Sequence, residues 1–180
     1  MLLWLWILIA AAVLLVLILI YYFNRFATLS ARIDNSLAQI DVQLKKRTDL
    51  IPNLLETVKG YAKHEKSVFK DVVDARKAMM SASDITGRAK AGAELQTALK
   101  SIFALSESYP ALRANENFLQ LQQELSSIED KVAYARQYYN DSILSFNTLA
   151  TTFPGNTFGK KIRPYLEIPI EEKAVPKVSF

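Results

Sequence analysis

Few residues in this chain are of the types that do chemistry. Its 180 residues include one histidine, His64, and no cysteine. A zinc site of ordinary composition, which draws on Cys and His, therefore cannot be assembled from one copy. His64 opens the string HEKSV, the beginning of a zinc-protease motif, but Val68 stands where the second histidine is required one helical turn later. A di-metal carboxylate site asks for inward Glu residues with a Glu-x-x-His spacing. Here His64 is the immediate neighbour of Glu65 and points elsewhere, so Glu65 is expected to reach solvent or to pair with a basic residue on a facing helix. The five glycines are scattered, and neither a phosphate-binding loop nor a Gly-x-Ser-x-Gly elbow is present. Lys45, Lys46 and Arg47 form a short basic run suited in principle to phosphate. The expectation is a solvated stripe with Arg47 bent out of the apolar face. Phe118, Tyr134, Tyr138, Tyr139, Phe146 and Phe153 read as helix packing rather than as a base-stacking platform. No catalytic residue, metal or cofactor is expected, and the chain does not read as an enzyme. A net charge of +4, interspersed with acids, argues against a nucleic-acid partner and supports at most a mild attraction to an anionic membrane surface.

Two periodic stretches set the architecture. Alternating steps of four and three residues over 33–79 land on Ile33, Leu37, Ile40, Leu44, Arg47, Ile51, Leu54, Val58, Tyr61, Glu65, Val68, Val72, Ala75 and Met79. Such a repeat predicts one long helix with a coiled-coil-like apolar face, a rod of roughly 70 Å. Pro52 keeps the register, so a kink is expected in the turn before it, where the Thr48 carbonyl loses its backbone partner. The same stepping from Phe118 gives Leu121, Leu125, Ile128, Val132, Ala135, Tyr139, Ser142, Phe146, Leu149 and Phe153, with Pro154 and Gly155 as the stop. Between them a weaker helix is predicted from a cap at Ser83 or Asp84 to about Leu105, followed by a turn at Pro110 and a cap at Asn115. Mixed-charge neighbours on the rod, Asp41 with Lys45 and Glu56 with Lys59, solvate its outer face.

Residues 2–23 carry no charge and no proline, and at helical rise they extend about 33 Å, enough for a hydrocarbon core of about 30 Å. Tyr21, Tyr22 and Phe23, followed by Arg25, form an interfacial collar. A cleaved signal peptide is not expected, because the basic leader is missing and the apolar run is too long. The absence of Cys excludes a lipoprotein anchor. Arg25, Arg32, Lys45, Lys46 and Arg47 all follow the span, which places the following residues in the cytoplasm by the positive-inside rule. The expected organisation is a transmembrane anchor over 1–24, an antiparallel all-α bundle of three main helices over 25–155, and an extended C-terminal tail over 156–180. The tail is punctuated by Pro164, Pro169 and Pro176 and is suited either to lying along the bundle or to adding to a partner's sheet edge.

Helix lengths carry a consequence. If the second helix folds back from the top of a rod ending near Met79, it covers less than half of it, and the stretch from Ile33 to Leu54 is left bare. An apolar stripe of that length does not stay exposed. It is expected to pack against neighbouring copies, giving a membrane-tethered homo-oligomer; descent of the loop around Pro110 is the rival account.

The strings QIDVQLKKRTDLIPNLLETVKGYAKHE at 39–65, YPALRANENFLQLQQELSSIEDKVAYARQYYN at 109–140 and FNTLATTFPGN at 146–156 resemble the LemA family of bacterial proteins. The resemblance implies a membrane anchor with a helical bundle at the bacterial inner membrane and no enzymatic activity. Relatives connected with magnetosome membranes suggest a part in membrane organisation. It also singles out Asp41, Arg47, Asp49, Pro52, Asn53 and Glu56 on the rod and Asn115, Arg136, Tyr139 and Asn140 on the last helix. Two functions are expected to compete. One is a scaffold that self-assembles and organises membrane or membrane proteins, with the stretch from Ile33 to Glu56 as its surface. The other is an adaptor that recruits a membrane partner, such as a protease, through the bundle and tail.

Overall fold

The computed structural model describes residues 2–166, all helix, turn or irregular chain with no strand among them. Five α-helices follow one another: α1 (Leu2–Lys59), α2 (Lys66–Ser81), α3 (Ile85–Ser108), α4 (Pro110–Arg113) and α5 (Glu116–Thr151), with a 3-10 turn at Gly155–Phe158. The apolar tail residues Ile168, Ile170, Val178 and Phe180 lie outside the described residues.

The rod of 33–79 is two helices rather than one. The break falls at 60–65, not at Pro52, which sits inside α1. Gly60 weakens the helix, and the Val58 carbonyl accepts from both Tyr61 N (3.0 Å) and Ala62 N (2.9 Å), closing the end of α1. The apolar repeat hides this break because it resumes on the far side, where Val72 and Met79 are buried. Tyr61, a landing point of the repeat, is exposed, and Ala62 takes the buried position in its place.

The chain forms two compact units, residues 2–38 with Gln137–Tyr165, and a second built on Gln39–Arg136. In the second unit the core is made by Ile40, Leu44, Ile51, Leu54 and Val58 of α1, Val72 and Met79 of α2, Leu95, Leu99 and Ile102 of α3, Leu112 of α4, and Phe118, Leu125, Ile128 and Val132 of α5. Each such side chain contributes about 1.5–3 kcal/mol on burial. Two caps fall where the sequence puts them. Asp84 accepts from Gly87 N at 3.1 Å to start α3, and Asn115 accepts from Phe118 N at 2.9 Å to start α5. Pro110 does more than break a helix: it is the first residue of α4.

In the first unit, residues 2–21 of α1 are exposed throughout, and α1 is long and apolar enough to cross a membrane. Beyond the collar, Phe26, Leu29 and Ile33 are buried, as are Tyr139, Ser142, Ile143 and Phe146 of α5. Phe26 meets Phe146 edge to face at 5.5 Å. The last landing point of the α5 repeat, Phe153, lies past the helix end and is 83% exposed.

Ile33, Ile40, Leu44, Ile51 and Leu54 are at most 3% exposed within the single chain. The expectation that this stripe lies bare is therefore corrected. The physical reason within the second unit is the break at 60–65: α1 ends at Lys59, and α2, α3 and α5 pack back on its Asp41–Thr48 segment.

Candidate functional site

In the second unit, Arg76 of α2 and Arg88 of α3 converge on the Asp41–Thr48 segment of α1, which itself carries Arg47. Pro52 has no N–H, so the Thr48 carbonyl one turn earlier loses its helical partner. Arg76 of α2 supplies the missing donor, its Nε donating to Thr48 O at 3.0 Å. Arg47 is 2% exposed and is ion-paired with Glu129 of α5, and its Nη1 donates to Gly92 O of α3 at 3.5 Å. This corrects the expectation of a solvated Arg47; Lys45 and Lys46 do face solvent. Arg88 of α3 is ion-paired with Asp41 and donates from Nε to Ala82 O at 3.2 Å. The Asp41 carboxylate holds the Arg88 guanidinium above its usual pKa, through a hydrogen bond first and charge second. Gly92 sits where a methyl group would lie 3.4 Å from Arg136 Nη2 and 3.7 Å from Leu44. Glu65 accepts from Tyr109 Oη at 3.1 Å, so its partner is a phenol rather than a cation. The Tyr109 phenol is raised in pKa by that bond, then by burial. Asn115, besides capping α5, donates from Nδ2 to Tyr61 Oη at 3.0 Å.

The motif residues on α1 thus divide into two sets. Asp41 and Arg47 are ion-paired to neighbouring helices, Pro52 is exposed and leaves the Thr48 carbonyl to Arg76, and Ile33, Ile40, Leu44, Ile51 and Leu54 are core, with Leu37 half-buried. Asp49, Asn53 and Glu56 are exposed. Asn53 and Glu56 line a shallow groove of about 440 Å³ together with Asn117, Gln120 and Glu124 of α5. Two carboxylates and three amides, with no Lys or Arg in the lining, suit hydrogen-bond donors and cations. Among the described residues no group of three or more His, Cys, Asp or Glu side chains is placed to hold a metal ion. Arg76, Arg88, Glu129 and the α5 side of the groove were not legible as site residues. Pro52 signals that a carbonyl needs a donor but does not say which side chain provides it.

In the first unit, the chain after α5 is held by Asn147. Its Nδ2 donates to Arg163 O and its Oδ1 accepts from Arg163 N, both at 2.8 Å. The Arg163 side chain donates to Ser30 Oγ at 2.7 Å, lies 3.7 Å from Asp34 and stacks 4.9 Å above the Phe146 ring. Burial pushes the neighbouring Tyr139 phenol up in pKa, while Arg163 opposes the shift. Gly155 is required in this turn: a Cβ there would stand 2.0 Å from Leu149 O.

These features define an all-helical protein with one helix able to span a membrane and a folded helical region joined to it. The LemA family model matches residues 36–180, and the chain belongs to the LemA family. Curated relatives include magnetosome protein MamQ of Magnetospirillum gryphiswaldense, 24% identical over 158 residues, covering 73% of this chain and 58% of the relative. Magnetosome protein MamQ 2 of Paramagnetospirillum magneticum is 24% identical over 160 residues, covering 74% of this chain and 59% of the relative. The chain thus spans under two thirds of the length of these relatives.

Proposed function

We propose that this LemA-family chain is a single-pass, membrane-anchored scaffold that organises or remodels membrane or membrane proteins and performs no catalysis of its own. In this reading the helices after the span form an antiparallel bundle on the cytoplasmic side of a bacterial inner membrane. The observation that carries it is α1 itself. Its residues 2–21 are uncharged and exposed, and without a break the same helix enters a region whose apolar positions are covered. In water each uncovered Leu or Ile would forfeit about 1.5–3 kcal/mol, a loss the bilayer removes. The MamQ relatives, named as magnetosome proteins, favour a role at a membrane.

Self-association is part of the proposal, but not through the stripe from Ile33 to Leu54, which is occupied within the chain. The surfaces left for neighbours are the span and exposed faces such as that of Val42. Single cysteines at Ile9 and Val42, oxidised in native membranes, test this. A scaffold gives intersubunit disulfides at one or both positions. Neither forming, while a cysteine pair engineered within one chain oxidises fully, refutes self-association. The adaptor reading is favoured by one observation, the polar groove at Asn53, Glu56 and Glu124. It predicts loss of a bound membrane protein when the residues after Pro164 or the groove glutamates are removed.

A further inference from the structure

The segment after α5 carries apolar and basic side chains that neither the core nor the groove uses. Phe153 is 83% exposed and Ile162 67% exposed, and Lys160 and Lys161 between them also face solvent. Isolated exposed apolar residues need no explanation. These two flank a pair of lysines, and the segment bearing them is fixed against the end of the apolar stretch of α1. Phe158 stacks on Tyr22 at 5.7 Å with the rings 20° apart, and it meets Phe26 at 5.8 Å. Asn147 and Arg163 hold the far end of the same segment against Ser30 and Asp34. Tyr21 and Phe23, at 62% and 65% exposed, together with Arg25, complete the surroundings.

Aromatic and basic residues at the end of a span mark the depth of the headgroups. Phe158, stacked on Tyr22, holds its part of the segment at that depth, and the chain from there to Arg163 runs outward along α1 toward Ser30. We propose that residues 153–162 form a second membrane contact. Phe153 enters the boundary between headgroups and acyl chains, while Lys160 and Lys161 engage anionic headgroups and Ile162 lies at the outer edge of the contact. The inference rests on the reading of residues 2–23 as a membrane span, and it adds a lipid preference to it. The occupant is a bilayer surface rather than a protein, on two grounds: continuity with the span, and a charge pattern, basic flanked by apolar, that matches an anionic interface. It also accounts for Asn147 and Gly155, whose contacts fix the shape of a segment that would otherwise be a loose exit from α5.

The absence of native cysteine allows a direct test on the full chain in nanodiscs. Single cysteines at Phe153, Ile162, Val13 and Lys66 are labelled with an environment-sensitive nitrobenzoxadiazole dye. Quenching by shallow and deep spin-labelled lipids is then measured in phosphatidylcholine discs with and without phosphatidylglycerol. Helical content of each variant is checked by circular dichroism. The expected pattern is deep quenching at Val13, shallow quenching at Phe153 and Ile162, and none at Lys66. Lys160→Gln with Lys161→Gln should lower the bound-to-free ratio of the segment by about tenfold or more in anionic discs, and little in neutral ones. Quenching at Val13 with solvent-like dyes at Phe153 and Ile162 overturns the inference and leaves the span intact. A blue-shifted dye at Phe153 that no lipid quencher reaches assigns the surface to a protein and overturns it equally. No quenching at Val13 refutes the span itself.

Discussion

The bond from Arg76 to the Thr48 carbonyl predicts an energetic coupling to Pro52. In a helix without proline, the amide at position 52 would donate to Thr48 O. In this chain it cannot, and Thr48 is only 6% exposed, so water does not replace it. Arg76 Nε, at 3.0 Å, is the donor that fills the gap. Arg76→Met keeps the aliphatic stem and removes the charged donor, with an expected cost of about 1.5–3 kcal/mol. Pro52→Ala restores an amide to α1 and removes an interior proline, for an expected gain of about 1–3 kcal/mol. In the Pro52→Ala background the carbonyl already has a partner, so Arg76→Met should cost about 1 kcal/mol less than in the parent. The assay is urea denaturation of the full chain in mild detergent, followed by far-ultraviolet circular dichroism, for the four members of the cycle. If Arg76→Met costs the same in both backgrounds to within about 0.5 kcal/mol, the arginine is not substituting for the missing amide and the reasoning is refuted.

Three further outcomes follow from the geometry. Glu129→Ala should destabilise the fold by about 2–3 kcal/mol, below the range for a fully buried pair because Glu129 is 28% exposed. Arg47→Met with Glu129→Leu should cost less than Glu129→Ala alone, and the order is read from the same denaturation curves. Gly155→Ala should cost more than Gly159→Ala. The first drives a methyl into Leu149 O, whereas the second meets open space and bears only its left-handed φ of 62°; melting temperatures, at about 2–4 °C per kcal/mol, report the difference. The phenols of Tyr109 and Tyr139 titrate above their ordinary range in the fold, through the hydrogen bond to Glu65 and through burial respectively. With folded pKa values above unfolded ones, their contribution is whole below pH of about 10 and is lost as pH rises through the raised values. Stability should therefore fall at alkaline pH, and Tyr139→Phe should make that fall shallower.

What the sequence makes visible here is what depends on local pattern. The apolar stretch of α1 shows as a run of uncharged residues, the caps Asp84 and Asn115 as side chains of the right type before an apolar period, and the core positions of α5 as steps of three and four. The break at 60–65 is hidden because a 3.5-residue repeat continues through it, and Gly60 alone is a weak signal against so many matching positions. That one error moves the end of α1, and with it the conclusion that Ile33 to Leu54 needs a neighbour. Arg47 was misplaced for a different reason. A charged residue on an apolar face is buried only when a partner from far along the chain meets it, and nothing local to Arg47 announces Glu129. Asn147 likewise reads as an ordinary polar helix position until Arg163 is seen returning to it. Asn53 and Glu56 acquire a setting only when Asn117, Gln120 and Glu124 of α5 face them across the groove.

The proposed scaffold is tested most directly by the mass of the full-length particle, isolated in nanodiscs or mild detergent and measured by light scattering and single-particle electron microscopy. A self-assembling, membrane-anchored scaffold predicts ordered particles containing several copies of the 20.3 kDa chain, with their helical regions on one side of the bilayer. Particles containing one chain each, at concentrations where the protein remains folded and membrane-bound, would contradict it.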